Sequence, residues 1–208
     1  MPESQIVQQA YDRYSSLYDL ILKPWLVFGR ERAVELLDLE PSDKILEVGV
    51  GTGLSFEYYP PGTNLIGLDY SEGMLRQSLE MGKSDDVKCH PELFQMNVEK
   101  IGFRNSTFDK VLAAYVMTVV PDTERAMREI IRVCKPGAKV VMINHLRPEN
   151  SILATLEDAL HPLVSSLGLF SLDRDLLSII ESCNIENLTV EPTSFFRLHH
   201  IISFTVKK

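Results

Sequence analysis

Three glycines alternate with other residues in Glu47-Val-Gly49-Val-Gly51-Thr-Gly53. A backbone without side chains at that spacing lets main-chain amides approach a bound ligand closely. The apolar run Lys44-Ile-Leu-Glu-Val48 precedes the loop and helix-compatible residues follow it, the strand-loop-helix setting in which such a loop cradles a nucleotide-like group. Asp69 ends the next apolar run, where a carboxylate accepts hydrogen bonds from both hydroxyls of a ribose. The same aspartate is also placed to cap the helix that opens near Ser71, and the two roles are compatible.

A dinucleotide loop would read Gly-x-Gly-x-x-Gly, but Leu54 occupies the third glycine's place and an acidic Glu47 leads the loop. That combination favours S-adenosylmethionine over NAD. Two further residues stand where chemistry on a second substrate would occur. Tyr115 closes an apolar run, Lys110–Tyr115, and His145 follows another, Ala138–Asn144. Ligands of parallel sheets sit beyond the carboxyl ends of the strands, so both side chains belong to the reaction rim. A methyl group moving from that cofactor to a second substrate needs alignment, exclusion of water and a group that can accept a proton from the acceptor. Tyr115 and His145 are the candidates, with Tyr115 as a packed core residue and His145 as a surface residue the plain alternatives. Tyr11 and Tyr18, seven apart on one helical face, are candidates for a lid over the cofactor, Tyr18 being the better placed for the reaction itself.

These residues need a scaffold, and the hydrophobic periods supply one. Ile6, Ala10, Tyr14, Leu17, Tyr18 and Ile21 recur at helical spacing up to Pro24, and a second helical pattern covers about 25–39. From residue 44 onward strands and helices alternate: strands at 44–48, 64–68, 93–98, 110–115 and 138–144, with helices after the glycine loop, from Ser71, and at 122–134. Such alternation predicts a parallel sheet covered on both faces. Helical patterns at 151–167 and 171–183 follow, then Ile185–Thr193 and Arg197–Val206 as an antiparallel pair.

The 208 residues suit one domain: residues 1–40 as a helical lid and entry region, 41–145 as the cofactor core, 146–208 as the acceptor side. A net charge of -8 argues against nucleic acid as partner. Three widely spaced cysteines suit a reducing, cytoplasmic setting. Adjacent His199 and His200 point to opposite faces of a strand, so no metal site is expected. With Phe195 and Phe196 they either cover an acceptor pocket or complete the core. Trp25, Leu26, Val27 and Phe28, beyond the first helix, could seat an apolar edge on the inner membrane face, or pack on the protein itself. No obligate protein partner is expected.

With the motifs assembled, residues 44–144 resemble class I methyltransferases in the glycine loop, in Leu68-Asp69 and in Cys134-Lys-Pro-Gly137. The resemblance implies a Rossmann-like, mostly parallel seven-stranded sheet with a C-terminal antiparallel hairpin. It also implies that Glu47 faces the cofactor's methionyl amino end, that Tyr70 and Met74 flank the adenine, that Asn97 and Val98 meet its edge, and that Ala114 lines the site. Over nearly the full length the chain is similar to soluble bacterial phosphatidylethanolamine N-methyltransferases, through Glu47–Ser55, Tyr115–Asp122, and Asn144-His145 with Glu149 nearby. This implies stepwise methylation of a phospholipid amine toward phosphatidylcholine. A methyltransferase for a quinone precursor or other small molecule is the second reading, and a silent S-adenosylmethionine-binding module the third.

Overall fold

The computed structural model describes residues 27–145, 176–193 and 199–207. The expected helices at 6–22 and 151–167, with Tyr11, Tyr18 and Phe195-Phe196, lie outside the described residues. Helices are numbered among the described residues alone.

Helix α1 (Arg30–Leu36) leads into strand β1 (Lys44–Val48). It is shorter than its apolar pattern because Gly29, at φ 79°, begins it in a left-handed conformation. The glycine loop is followed by a single 3-10 turn, Phe56–Tyr58, rather than a regular helix, since Pro60-Pro61 forbid continuation. Strand β2 (Asn64–Asp69) and helix α2 (Glu72–Met81) come next. The Ser71 hydroxyl accepts from the Met74 amide at 3.2 Å and so caps α2.

Strand β3 (Glu92–Gln95) is shorter than expected. Asn97 leaves the ladder because its Oδ1 accepts from the Glu99 amide at 2.8 Å, opening a second 3-10 turn, Val98–Lys100. Strand β4 (Phe108–Ala114), helix α3 (Thr123–Val133) and strand β5 (Cys134–His145) complete the parallel part. Helix α4 (Leu176–Glu181), β6 (Ile185–Pro192) and β7 (His199–Val206) follow.

The seven strands lie in the order β3-β2-β1-β4-β5-β7-β6. The last strand enters antiparallel between β5 and β6 and pairs with both. Alternation along the central strands sends Leu46, Val48, Val111, Ala113, Val140 and Met142 to one face, against Met127, Ile130 and Ile180 of α3 and α4. Ile45, Leu112, Ala114, Val141 and Ile143 go to the other, against Ala33 and Val34 of α1 with Leu37 just beyond it. Near-continuous apolar strands are what burial on both faces demands. Each fully buried leucine or isoleucine adds about 1.5–3 kcal/mol of transfer free energy. The consequence for function is positional: the ends of β1, β4 and β5 and the start of β7 meet along one edge.

Candidate functional site

The glycine loop turns back over the end of β2. The Gly49 and Val50 amides both donate to the Leu68 carbonyl, at 2.8 and 3.1 Å. Gly49 has φ 67°, and a Cβ there would lie 2.6 Å from Val116 Cγ2, so a side chain would force the loop off the sheet. Gly51, at φ 55°, has nothing within 4 Å of a Cβ position and therefore faces open space. Gly53 completes the loop with its amide on Val50 O.

Asp69 locks this loop to the next one. Its Oδ2 accepts from the Gly51 amide and its Oδ1 from the Ser71 amide, each at 2.9 Å. The carboxylate is half-buried at the open edge. Tyr70 beside it is also half-buried, whereas Met74 and Val98 are buried. Asn97 stands in the neighbouring turn with its carbonyl oxygen committed to the cap.

Glu47 lies beneath the loop with its side chain fully buried. Its nearest charge is Arg30, Nη1 to Oε1 at 3.8 Å, and among the described residues neither carboxylate oxygen has a hydrogen-bond partner. Burial pushes the Glu47 carboxyl up from the ordinary glutamate range, against the pull of Arg30 and the nearby Ser55 and Tyr59 hydroxyls. A buried acid of this kind needs a cationic or donating companion.

Arg30 is a functional candidate that sequence reasoning missed. It is 4% exposed, donates to Ser55 Oγ at 2.6 Å, and lies 5.5 Å from the centroid of the Tyr115 ring. The signal was available, since Arg30 shares the helix face of Ala33, Val34 and Leu37 and is a charge on an apolar stripe.

Tyr115 leaves β4 in a left-handed conformation, φ 63°, a strained state for an aromatic residue that needs support from its surroundings. Its Oη donates to the Phe28 carbonyl at 2.7 Å, and its ring meets that of His199 edge-on at 5.3 Å. Burial raises its pKa to about 12, against a smaller opposing effect of Arg30. At neutral pH this hydroxyl is a hydrogen-bond donor. Ala114 precedes it in the buried layer. Position 145 lies opposite His199 in the antiparallel ladder, which brings His145 and Tyr115 to one rim. Burial also raises Cys89 to about 11 and Cys134 to about 12, so both thiols stay protonated near neutrality. Among the described residues no group of three or more His, Cys, Asp or Glu side chains could hold a metal ion.

A glycine loop joined to an acidic residue at the next strand end, on the carboxyl edge of a sheet with an antiparallel last strand, defines a methyltransferase of class I. Residues 46–142 match the family model described as a methyltransferase domain. The chain is 34% identical to a phosphatidylethanolamine N-methyltransferase of Cereibacter sphaeroides over 80% of its own length and 81% of that protein's. It is 27% identical to a 2-phytyl-1,4-naphtoquinone methyltransferase of Trichormus variabilis, over 78% and 76% respectively. A solved S-adenosylmethionine-dependent methyltransferase from Thermotoga maritima superposes with a TM-score of 0.71 at 18% identity, covering 96% of this chain and all of that one. The chain belongs to the class I S-adenosylmethionine-dependent methyltransferases, and its cofactor is S-adenosylmethionine.

The residues present fit that cofactor. Gly51 opens on empty space, Asp69 offers a half-buried carboxylate beside the loop, and Glu47 holds a buried carboxylate with no hydrogen-bond partner among the described residues.

Proposed function

We propose that the protein methylates the amine of a phosphatidylethanolamine-type lipid and its partly methylated forms, leading to phosphatidylcholine. The observation that carries this reading is the 34% identity to a phosphatidylethanolamine N-methyltransferase across 81% of that enzyme. The aromatic and imidazole rim of Tyr115 and His199 supports it, because such rings accommodate a cationic headgroup.

In this reading Asp69 holds the ribose hydroxyls of S-adenosylmethionine, Tyr70, Met74, Asn97 and Val98 surround its adenine, and the Gly49–Gly53 loop with Ala114 accommodates its methionyl part. Glu47 pairs with the amino end. When bound, the cofactor supplies a sulfonium methyl that an amine lone pair attacks in line. Tyr115 and Arg30 form the wall against which the acceptor is oriented, and Tyr11 and Tyr18 exclude water from above. His145 takes the amine proton, directly or through water. Residues 1–40 serve as the lipid entry region, with Trp25 to Phe28 resting on an inner membrane face. The contact proposed is peripheral; among the described residues no helix is long and apolar enough to cross a membrane.

Methylation of a quinone precursor is the second reading, favoured by the similarity to the naphthoquinone enzyme. The test is transfer of labelled methyl from S-adenosylmethionine to phosphatidylethanolamine vesicles, soluble ethanolamine and a demethylated naphthoquinone. Label in the vesicle lipid alone is the expected outcome. Label in the quinone or the soluble amine, with none in lipid, overturns the lipid reading.

A further inference from the structure

The Asn144 side chain is fully buried, and among the described residues neither its Oδ1 nor its Nδ2 has a hydrogen-bond partner. It is the penultimate residue of β5 and sits directly opposite His200 of β7. Both strands are apolar on this face until they reach the rim: Val140 and Met142 precede Asn144, and Phe204 and Ile202 lead back to His200. The polar pair thus appears where the sheet meets the acceptor edge, one register step past Ile143, whose carbonyl accepts the Tyr115 amide at 2.7 Å. A buried carboxamide without partners destabilises the fold where an isosteric leucine would not. A ligand that supplies a donor and an acceptor together accounts for its presence.

Resting on the lipid-amine reading above, we infer that Asn144 binds the acceptor headgroup, its Oδ1 accepting from an N–H of the attacking amine and its Nδ2 donating to an oxygen of the same headgroup. In the step it serves, the neutral amine nitrogen forms the new N–C bond while the C–S bond of the methyl donor breaks and its electron pair stays on sulfur. The nitrogen then loses its proton to solvent or a neighbouring base. The neutral primary and monomethyl amines carry an N–H for Oδ1, and the neutral dimethyl amine carries none. Asn144 therefore holds the headgroup through Nδ2 in all three transfers and adds the Oδ1 contact to the attacking nitrogen only in the first two.

The experiment compares the wild-type protein with Asn144→Leu on vesicles containing phosphatidylethanolamine, its monomethyl form or its dimethyl form, beside calorimetric titration with S-adenosylhomocysteine. The expected result is unchanged S-adenosylhomocysteine affinity, an unchanged or higher Tm, and a loss of kcat/KM on all three acceptors that is at least tenfold greater on the first two than on the third. Equal kcat/KM on all three acceptors, or an equal loss on all three, overturns the inference. Should the leucine variant lose S-adenosylhomocysteine binding, the same acceptor ratios from Asn144→Thr decide by the same criterion. A wild-type protein that methylates none of the three lipids removes the lipid reading and the inference together. An active wild type with a flat response to the substitution removes the inference alone.

Discussion

Asp69 does two things that mutagenesis separates. It anchors two backbone amides in the folded chain, and in the proposed complex it also accepts from the ribose. Asp69→Ala should weaken S-adenosylhomocysteine binding by at least tenfold, since charge-assisted hydrogen bonds contribute about 1.5–3 kcal/mol each. Calorimetry checks this, and unchanged affinity in a folded variant refutes the ribose assignment. Tyr115 presents a different case. A phenol raised to about 12 that donates to the Phe28 carbonyl is a poor proton acceptor near neutrality. Tyr115→Phe should lower Tm, as loss of one neutral hydrogen bond of about 0.5–1.5 kcal/mol requires. It should also lower turnover through misalignment, with cofactor affinity nearly intact. The shape of the kcat profile between pH 7 and 9 should stay the same. A titrating limb that vanishes in the phenylalanine variant would restore Tyr115 as the base. His145→Ala, by contrast, should reduce kcat with S-adenosylhomocysteine affinity nearly intact, and an unchanged kcat refutes its role.

At the scale of elements, α3 is fastened to the segment that follows the second 3-10 turn by one ion pair and its hydrogen bonds. Arg132 contacts Glu129 at 2.7 and 2.8 Å and donates to the Ile101 and Phe103 carbonyls at 2.8 and 2.9 Å. Glu129 in turn accepts from the Ile101 amide at 2.8 Å. The Arg132 hydrogen bonds hold the Glu129 carboxyl below its ordinary value, chiefly over the opposing effect of burial. A carboxyl depressed in the folded state contributes stability above its unfolded pKa and loses it as pH falls through the folded value. Arg132→Met should therefore lower Tm at pH 7 by more than at pH 3, an interval that thermal melts at the two pH values measure. An equal Tm difference at both pH values would mean that packing, and not the charge pair, holds this corner.

For the whole molecule, one ligand reports on the integrity of the site. At one hundred times its Kd, a ligand bound only by the native state adds about 2.7 kcal/mol of stability. For a chain of this length that corresponds to a rise of roughly 5–10 °C in Tm. S-adenosylhomocysteine should produce such a rise and NAD should not. A shift with NAD alone would overturn the cofactor assignment.

The order of elements, the cofactor loop and its aspartate were legible because they rest on local rules. Strands buried on both faces are apolar throughout, as in Val111–Ala114, and a loop that approaches a ligand needs glycine, as at Gly49 and Gly51. Helix starts were legible to within a residue, at Ser71 and Asp122, but the side chain that caps α2 is Ser71 and not Asp69 two residues earlier. What tertiary structure alone decided involves partners distant in sequence. Nothing local places β7 between β5 and β6, because that pairing is a competition among long-range ladders. Nothing local ties Tyr115 to Phe28, eighty-seven residues away, or sets Arg30 beside Glu47. The lack of a hydrogen-bond partner for Asn144 among the described residues has the same origin, since whether a buried carboxamide finds one depends on every chain segment that packs around it.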